Sequence, residues 1–237
     1  MAETKFEEEL EIFRTEEETA QQYFFSYLSV RSLAAENKAV LDVMNTAPLF
    51  WITTHHAMLL SAFVALGRIF DQQSKHNIDG LISTAWADLP AFSKAALEAR
   101  KKSAGLTQAE VAAYVINAHE LTAEDIRALR KEIAARRRIY EDRYRDIRHK
   151  VFAHTEVSGV DEINELLAKT SVEEMKALFA FLTALYSTLW GLFHNGHRPL
   201  LNIRDFVLPP DPAVAGGQML PGEKVYREGH AVLQRLL

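Results

Sequence analysis

Apolar side chains recur every three or four positions along nearly all of this chain before residue 195, a spacing that predicts helices rather than strands. A first helix is expected from about Phe6 to about Asn37, with or without a break, and Phe13, Tyr23, Phe24, Tyr27 and Leu28 supply its apolar surface. Pro48 suits the first turn of the next helix, after Asn45 and Thr46 as capping candidates, and Leu49 to Asp71 is long and apolar. A short helix over Ile78 to Trp86 is stopped by Pro90, and another over Ala91 to Ser103 is ended by Gly105. Thr107 and Glu110 have capping-box spacing for a helix reaching about His119. Thr122, with Asp125 in an acidic first turn, opens a helix expected to run unbroken to about Ala153. Gly159 and Asp161 mark a turn, and Ser171 with Glu174 makes a second capping box ahead of an apolar helix through Phe193.

After Gly196 the character of the chain changes. Five of its seven prolines fall between Pro199 and Pro221, which predicts an extended arm, and Val225, Val232, Leu233 and Leu236 then suggest a short amphipathic helix. The arm is expected to wrap either the bundle or a second subunit. There is no internal repeat and no alternating strand pattern. The expected fold is all-α: a four-helix-type bundle over residues 1–195 with additional short helices, then a Pro-rich C-terminal arm and short helix over 196–237.

Composition narrows the chemistry. The 237 residues contain no cysteine, so disulfides, thiol nucleophiles and cysteine zinc sites are excluded, and a reducing, cytoplasmic compartment is expected. Met1 to Ala20 carries eight acidic residues and no apolar segment, unlike a signal peptide. Ala177 to Phe193 is uncharged for seventeen residues, at the short limit for a bilayer span, and is expected to be a buried bundle helix with no membrane contact. The net charge is −5, yet Arg127 to Lys150 holds ten Lys or Arg against Glu132, Glu141, Asp142 and Asp146. A basic segment in an acidic protein points to a local polyanion contact, with a solvated helix face as the plainer alternative.

The end of that segment carries the chemistry. Arg148-His149-Lys150-Val151-Phe152-Ala153-His154 puts an arginine six residues before a histidine. Those two groups suffice for RNA cleavage without a metal: one moves the proton of a 2′-hydroxyl and the other holds the charge building on the phosphate. Ile133, Tyr140, Tyr144, Ile147, Val151 and His154 share one helical stripe, which must face the interior. At roughly 100° per residue, Arg148 and His154 flank that stripe about 120° apart, so on a straight helix they would not meet over one phosphate. A distortion at Val151–Ala153, long side chains reaching around, or a second copy of the chain would each bring them together; a shared cleft between two copies is the favoured expectation. The plainer readings are a packed core histidine and a surface ion pair from Arg148 to Asp142 or Glu141.

This arginine, polar residue, four residues, then histidine near the end of the third main helix resembles the signature of HEPN domains, with His149 at the polar position. The Ala153-His154 ending, Tyr144-Arg145-Asp146, and Leu66-Gly67-Arg68-Ile69-Phe70-Asp71 are similar to the abortive-infection, AbiU-type branch. The resemblance covers residues 1–195. It implies a metal-independent endoribonuclease of a prokaryotic toxin or defence system, often a homodimer with paired motifs. It implies Arg148 and His154 as the active pair with His149 as helper, leaving a 2′,3′-cyclic phosphate and a 5′-hydroxyl. Arg145, Lys150 and Arg138 would position the strand without reading its sequence. An inhibitory partner or antitoxin is expected, because unregulated cleavage would be toxic.

Arg68 and Asp71, spaced i, i+3, either pair with each other, cap the bundle or line the cleft from an opposite wall. His55-His56 and His194-x-x-His197 are candidate metal ligands, but no Glu-x-x-His pair or His-Asp doublet accompanies them, so no metal or other cofactor is expected. Two further functions stay open: a non-catalytic HEPN-like module that binds RNA or a protein, and a purely structural bundle using the arm to dock.

Overall fold

The structure, a computed structural model, describes residues 4–148, 170–208 and 219–235, and among these every regular element is helical. The expected all-α helical bundle is what forms. Helix α1 (Lys5–Glu36) is unbroken. Asn37 then caps a helix that the sequence spacing did not reveal, α2 (Lys38–Asn45), its side chain accepting from the Ala39 N–H at 3.0 Å. Thr46 does not cap the next helix as expected. Its hydroxyl donates back to the Val43 carbonyl at 2.7 Å and closes α2, and α3 (Pro48–Phe70) starts from Pro48.

Helix α4 (Ile78–Ala87) is followed by a 3₁₀ turn (Leu89–Phe92), so the helix expected over Ala91 to Ser103 begins only after Ser93. Ser93 caps α5 (Lys94–Ser103) by accepting from Ala96 at 3.2 Å. Thr107 and Glu110 make the reciprocal capping box of α6 (Gln108–Ile116). At the start of α7 (Ala123–Arg143), the Thr122 hydroxyl accepts from the Asp125 N–H, and the Asp125 carboxylate accepts from Thr122 and His119. Burial alone would raise the Asp125 pKa, but those hydrogen bonds outweigh it and hold the carboxyl below its usual range. The last two elements are α8 (Val172–Asn195) and α9 (Pro221–Gln234).

Contacts divide the chain into two compact units. The first comprises residues 1–15, 68–142 and 177–204. Its core holds Phe6 against Phe92 and Phe193, and Phe70 stacked on Tyr140 at 5.5 Å. Arg100 lies 4.0 Å above the Phe193 ring and donates to the Phe193 and Ala91 carbonyls, locking α5 in place.

The second unit comprises residues 16–67, 143–176 and 205–237. Here α9 docks on α1 of its own chain. The Gly222 N–H donates to Gln21 Oε1 at 3.1 Å, the Ser29 hydroxyl donates to the Tyr226 carbonyl at 2.9 Å, and Phe25 packs on Phe206 at 4.4 Å. Fully buried Glu223 accepts from the Leu220 N–H at the start of α9 and from the Val207 N–H of the preceding arm.

Among the described residues, two helices are long and apolar enough to cross a membrane. Of the apolar stretch in α8, 61% is buried, as expected of a core helix. Helix α3 differs: only 22% of its apolar stretch is buried.

Candidate functional site

The interior stripe of the basic helix is built as its spacing requires. Ile133, Tyr140, Tyr144 and Ile147 are all fully buried. The helix itself is not continuous to Ala153. It ends at Arg143, turns at Tyr144, and continues with helical backbone at 145–146 that widens into a π-turn at 147–148. Such local widenings are rare in α-helices and occur frequently at functional sites. The distortion lies at residues 144–148 and includes Arg148, the first residue of the motif. His149, Lys150, Val151 and His154 lie outside the described residues.

A clamp fixes the break. The Tyr144 hydroxyl donates to Glu174 Oε1 at 2.8 Å and lies 3.4 Å from the Ser171 carbonyl. The same Glu174 carboxylate takes Arg143 through its other oxygen at 3.0 Å. Burial first, then the neighbouring carboxylate, pushes the Tyr144 phenol far above its ordinary pKa, so it stays a donor at any physiological pH. Ser171 Oγ stands 3.5 Å from the Glu174 N–H, which is the first half of the expected capping box. The carboxylate half is turned instead to Tyr144 and Arg143. Below Tyr144 the Phe63 ring packs at 5.8 Å, tying the break to α3.

Arg148 follows one turn later, its N–H bonded to the Tyr144 carbonyl at 3.1 Å. Its half-buried side chain crosses α3 at Gly67. A β-carbon on Gly67 would stand 2.7 Å from Arg148 Cδ and 2.8 Å from Cζ, and would overlap a guanidinium nitrogen. Gly67 is thus the gap through which the guanidinium passes. The sequence carried a signal for this, an isolated glycine inside an apolar helix, which usually has a packing reason.

The other expected site residues fall as follows. Arg145 is exposed in the same compact unit as Arg148. Arg138 is exposed on α7, where it shares a stripe with exposed Arg127 and Lys131 by its i, i+4, i+11 spacing. The basic run is not all one solvated face. Arg136 lies over Phe181 at 5.2 Å and 3.7 Å from Glu132, Arg137 pairs with Asp79, and Arg143 pairs with Glu174. Arg68 is exposed in the last turn of α3, where a cation suits the helix dipole. Asp71 closes the turn after α3 by accepting from the Gln73 N–H at 3.1 Å. Arg138, Arg68 and Asp71 belong to the first unit, and Arg145 and Arg148 to the second.

Of the histidines weighed as metal ligands, His55 and His194 pack against aromatic rings, and His56 and His197 are exposed. His55 lies edge-on to Tyr27 at 5.5 Å, and His194 packs on Trp190 at 4.8 Å and Phe193 at 5.0 Å. Burial holds both imidazoles below their ordinary pKa, helped at His55 by the charge of Arg31. Sequence reasoning missed the joint role of Gly67, Tyr144 and Glu174. Each stood in a pattern with a simpler explanation: an apolar helix, a core stripe and a cap.

Comparison with known proteins found no match among curated proteins or solved structures. The family model described as AbiU2, of the HEPN group, matches residues 3–207, which takes in the clamp, Gly67 and the whole arginine–histidine motif. The chain belongs to the AbiU2 family of HEPN domains.

Proposed function

We propose that this chain is a metal-independent endoribonuclease of a prokaryotic defence or toxin–antitoxin system. One observation carries the reading: Arg148 is threaded past Gly67 at the distorted end of a basic helix. A guanidinium with no role beyond solubility would not require a helix to give up a side chain for its passage.

In the proposed reaction His154 takes the proton from a ribose 2′-hydroxyl, and the 2′-oxygen attacks the adjacent phosphorus. Arg148 donates to the non-bridging oxygens as negative charge builds. The bond to the 5′-oxygen breaks, that oxygen receives a proton, and the products are a 2′,3′-cyclic phosphate and a 5′-hydroxyl. An imidazole near its ordinary pKa of about 6.5 suits both proton transfers. His149 assists, and Arg145, Lys150 and Arg138 hold the strand through its phosphates. The setting is the cytoplasm, with a homodimer as the working form and an inhibitory partner restraining it.

Purified protein incubated with single-stranded RNA in excess chelator tests this. Fragments with 5′-hydroxyl and cyclic-phosphate ends are expected. The second reading, a non-catalytic RNA-binding module, draws on exposed Arg127, Lys131 and Arg138, which share one stripe of α7 and could hold phosphates with no active pair. Intact RNA bound in a salt-sensitive complex would select it.

A further inference from the structure

A polar pocket of about 560 Å³ opens where α6 and α8 end, inside the first compact unit and with no residue in common with the arginine–histidine motif. Tyr114 and Asn117 line it from the end of α6, His119 from the segment before α7, and Asn195, His197 and Arg198 from the end of α8. Among the described residues no Asp or Glu faces it. Two helix C-termini would ordinarily repel an anion through their unpaired last carbonyls. Here those carbonyls are occupied. Arg100 donates to the Phe193 carbonyl at 2.7 Å, the Lys94 ammonium lies 3.4 Å from the Ile116 carbonyl, and the His119 N–H donates to the Gly196 carbonyl at 2.8 Å.

The walls are fixed before any ligand arrives. Gly196 has a φ of 66°, and a β-carbon on it would stand 2.7 Å from the Ala118 β-carbon, so glycine is what lets the two connections close on each other. The Lys101 ammonium lies 3.9 Å from the centre of the Tyr114 ring and donates to Asn195 Oδ1 at 2.8 Å. That bridge ties two walls together and leaves the Asn195 amide N–H groups as donors. His119 Nε2 bonds Asp125 at 2.7 Å, which holds the imidazole in one orientation.

We propose that this pocket binds a nucleotide. Tyr114 is 41% exposed, so a face of its ring is open for a base to stack on. The Asn117 and Asn195 carboxamides suit the polar edge of a base. Exposed Arg198 and His197, with His119, supply donors and positive charge for a phosphate. A pocket of this size lies within the range that holds one small ligand. A metal ion fits less well, because among the described residues no group of three His, Asp or Glu side chains is placed to hold one. A free mononucleotide and the phosphorylated end of an RNA strand share this chemistry. The site does not rest on Arg148 cleaving RNA.

Isothermal titration calorimetry of the full chain with AMP, in chelator, tests the proposal. A dissociation constant of about 100 µM is expected. Tyr114→Ala and Arg198→Ala should each weaken binding by about tenfold at an unchanged melting temperature, whereas Tyr114→Phe keeps the ring and should bind as the parent does. Arg148→Ala should also bind AMP as the parent does, which separates this site from the proposed chemistry. A second titrant, a short 2′-O-methyl oligonucleotide with a 5′-phosphate, has no 2′-hydroxyl to attack. A loss of its binding in Arg198→Ala would identify a strand end as the natural source, and a loss for AMP alone would identify the free nucleotide. Three results would overturn the proposal. One is absent AMP binding together with oligonucleotide binding that neither alanine variant weakens. Another is inorganic phosphate binding as tightly as AMP. The last is AMP binding lost in Arg148→Ala and kept in Arg198→Ala.

Discussion

The Arg148 side chain crosses α3 over Gly67, in space that a single β-carbon would fill. The pair links two stretches far apart in sequence and gives the arginine a defined path. Gly67→Ala should therefore act on Arg148. The methyl group meets the middle of the side chain as well as its tip, so the guanidinium must leave its channel. A loss of about 1–3 kcal/mol is expected from the forced repacking. RNA cleavage should fall by at least tenfold while circular dichroism keeps its helical shape. Activity equal to the parent's would show that the path of Arg148 past α3 does not matter.

Glu174 ties both sides of the helix break. Removing the hydroxyl by Tyr144→Phe leaves a mostly buried carboxylate with one partner fewer, at a cost of about 1–3 kcal/mol. Glu174→Gln should be milder, because an amide oxygen still accepts from Tyr144 while the charge toward Arg143 is lost. Denaturant titration of both variants checks the order. Equal stability of all three proteins would contradict the clamp.

Acid should weaken the fold through half-buried imidazoles. His55, His194 and His230 are all held below their ordinary pKa, chiefly by burial. Unfolding releases them to protonate near pH 6.5, so the unfolded chain binds more protons in mild acid. Their contribution is full above that pH and is lost as pH falls toward the depressed folded values. The melting temperature should drop by a few degrees from pH 7.5 to 5.5, and His55→Gln should flatten the slope. A melting temperature that is constant or rises on acidification would contradict this.

The C-terminal helix is part of the chain's own second unit. A β-carbon on Gly222 would press into the Phe25 ring, so Gly222→Ala should loosen α9 from α1 at about 1–3 kcal/mol. Thermal melts and sedimentation separate the outcomes. A lower melting temperature at unchanged mass is expected, and a changed mass with unchanged melting would assign α9 to assembly.

Much of this architecture was legible in the residues. The caps at Thr107 and Thr122, the breaks at Pro48 and Pro90, and the buried stripe from Ile133 to Ile147 follow from local hydrogen bonding and helical period. The HEPN assignment followed from seven residues in a helical context. What stayed hidden was non-local. Helix α2 is short, and its start depends on one asparagine. The break at Tyr144 is held by Glu174, whose spacing from Ser171 reads equally well as a cap. The exposure of much of α3 was invisible because an apolar helix reads the same whether its partner is its own core or another molecule.

The most direct test of the central claim is the single-turnover RNA cleavage rate of Arg148→Ala against the parent, in chelator, with both proteins checked for equal helicity. Removal of one donor to the transition-state charge should slow the reaction by about 10²–10³-fold. Cleavage as fast as the parent's, with the same product ends, would contradict the assignment of Arg148 to the chemistry.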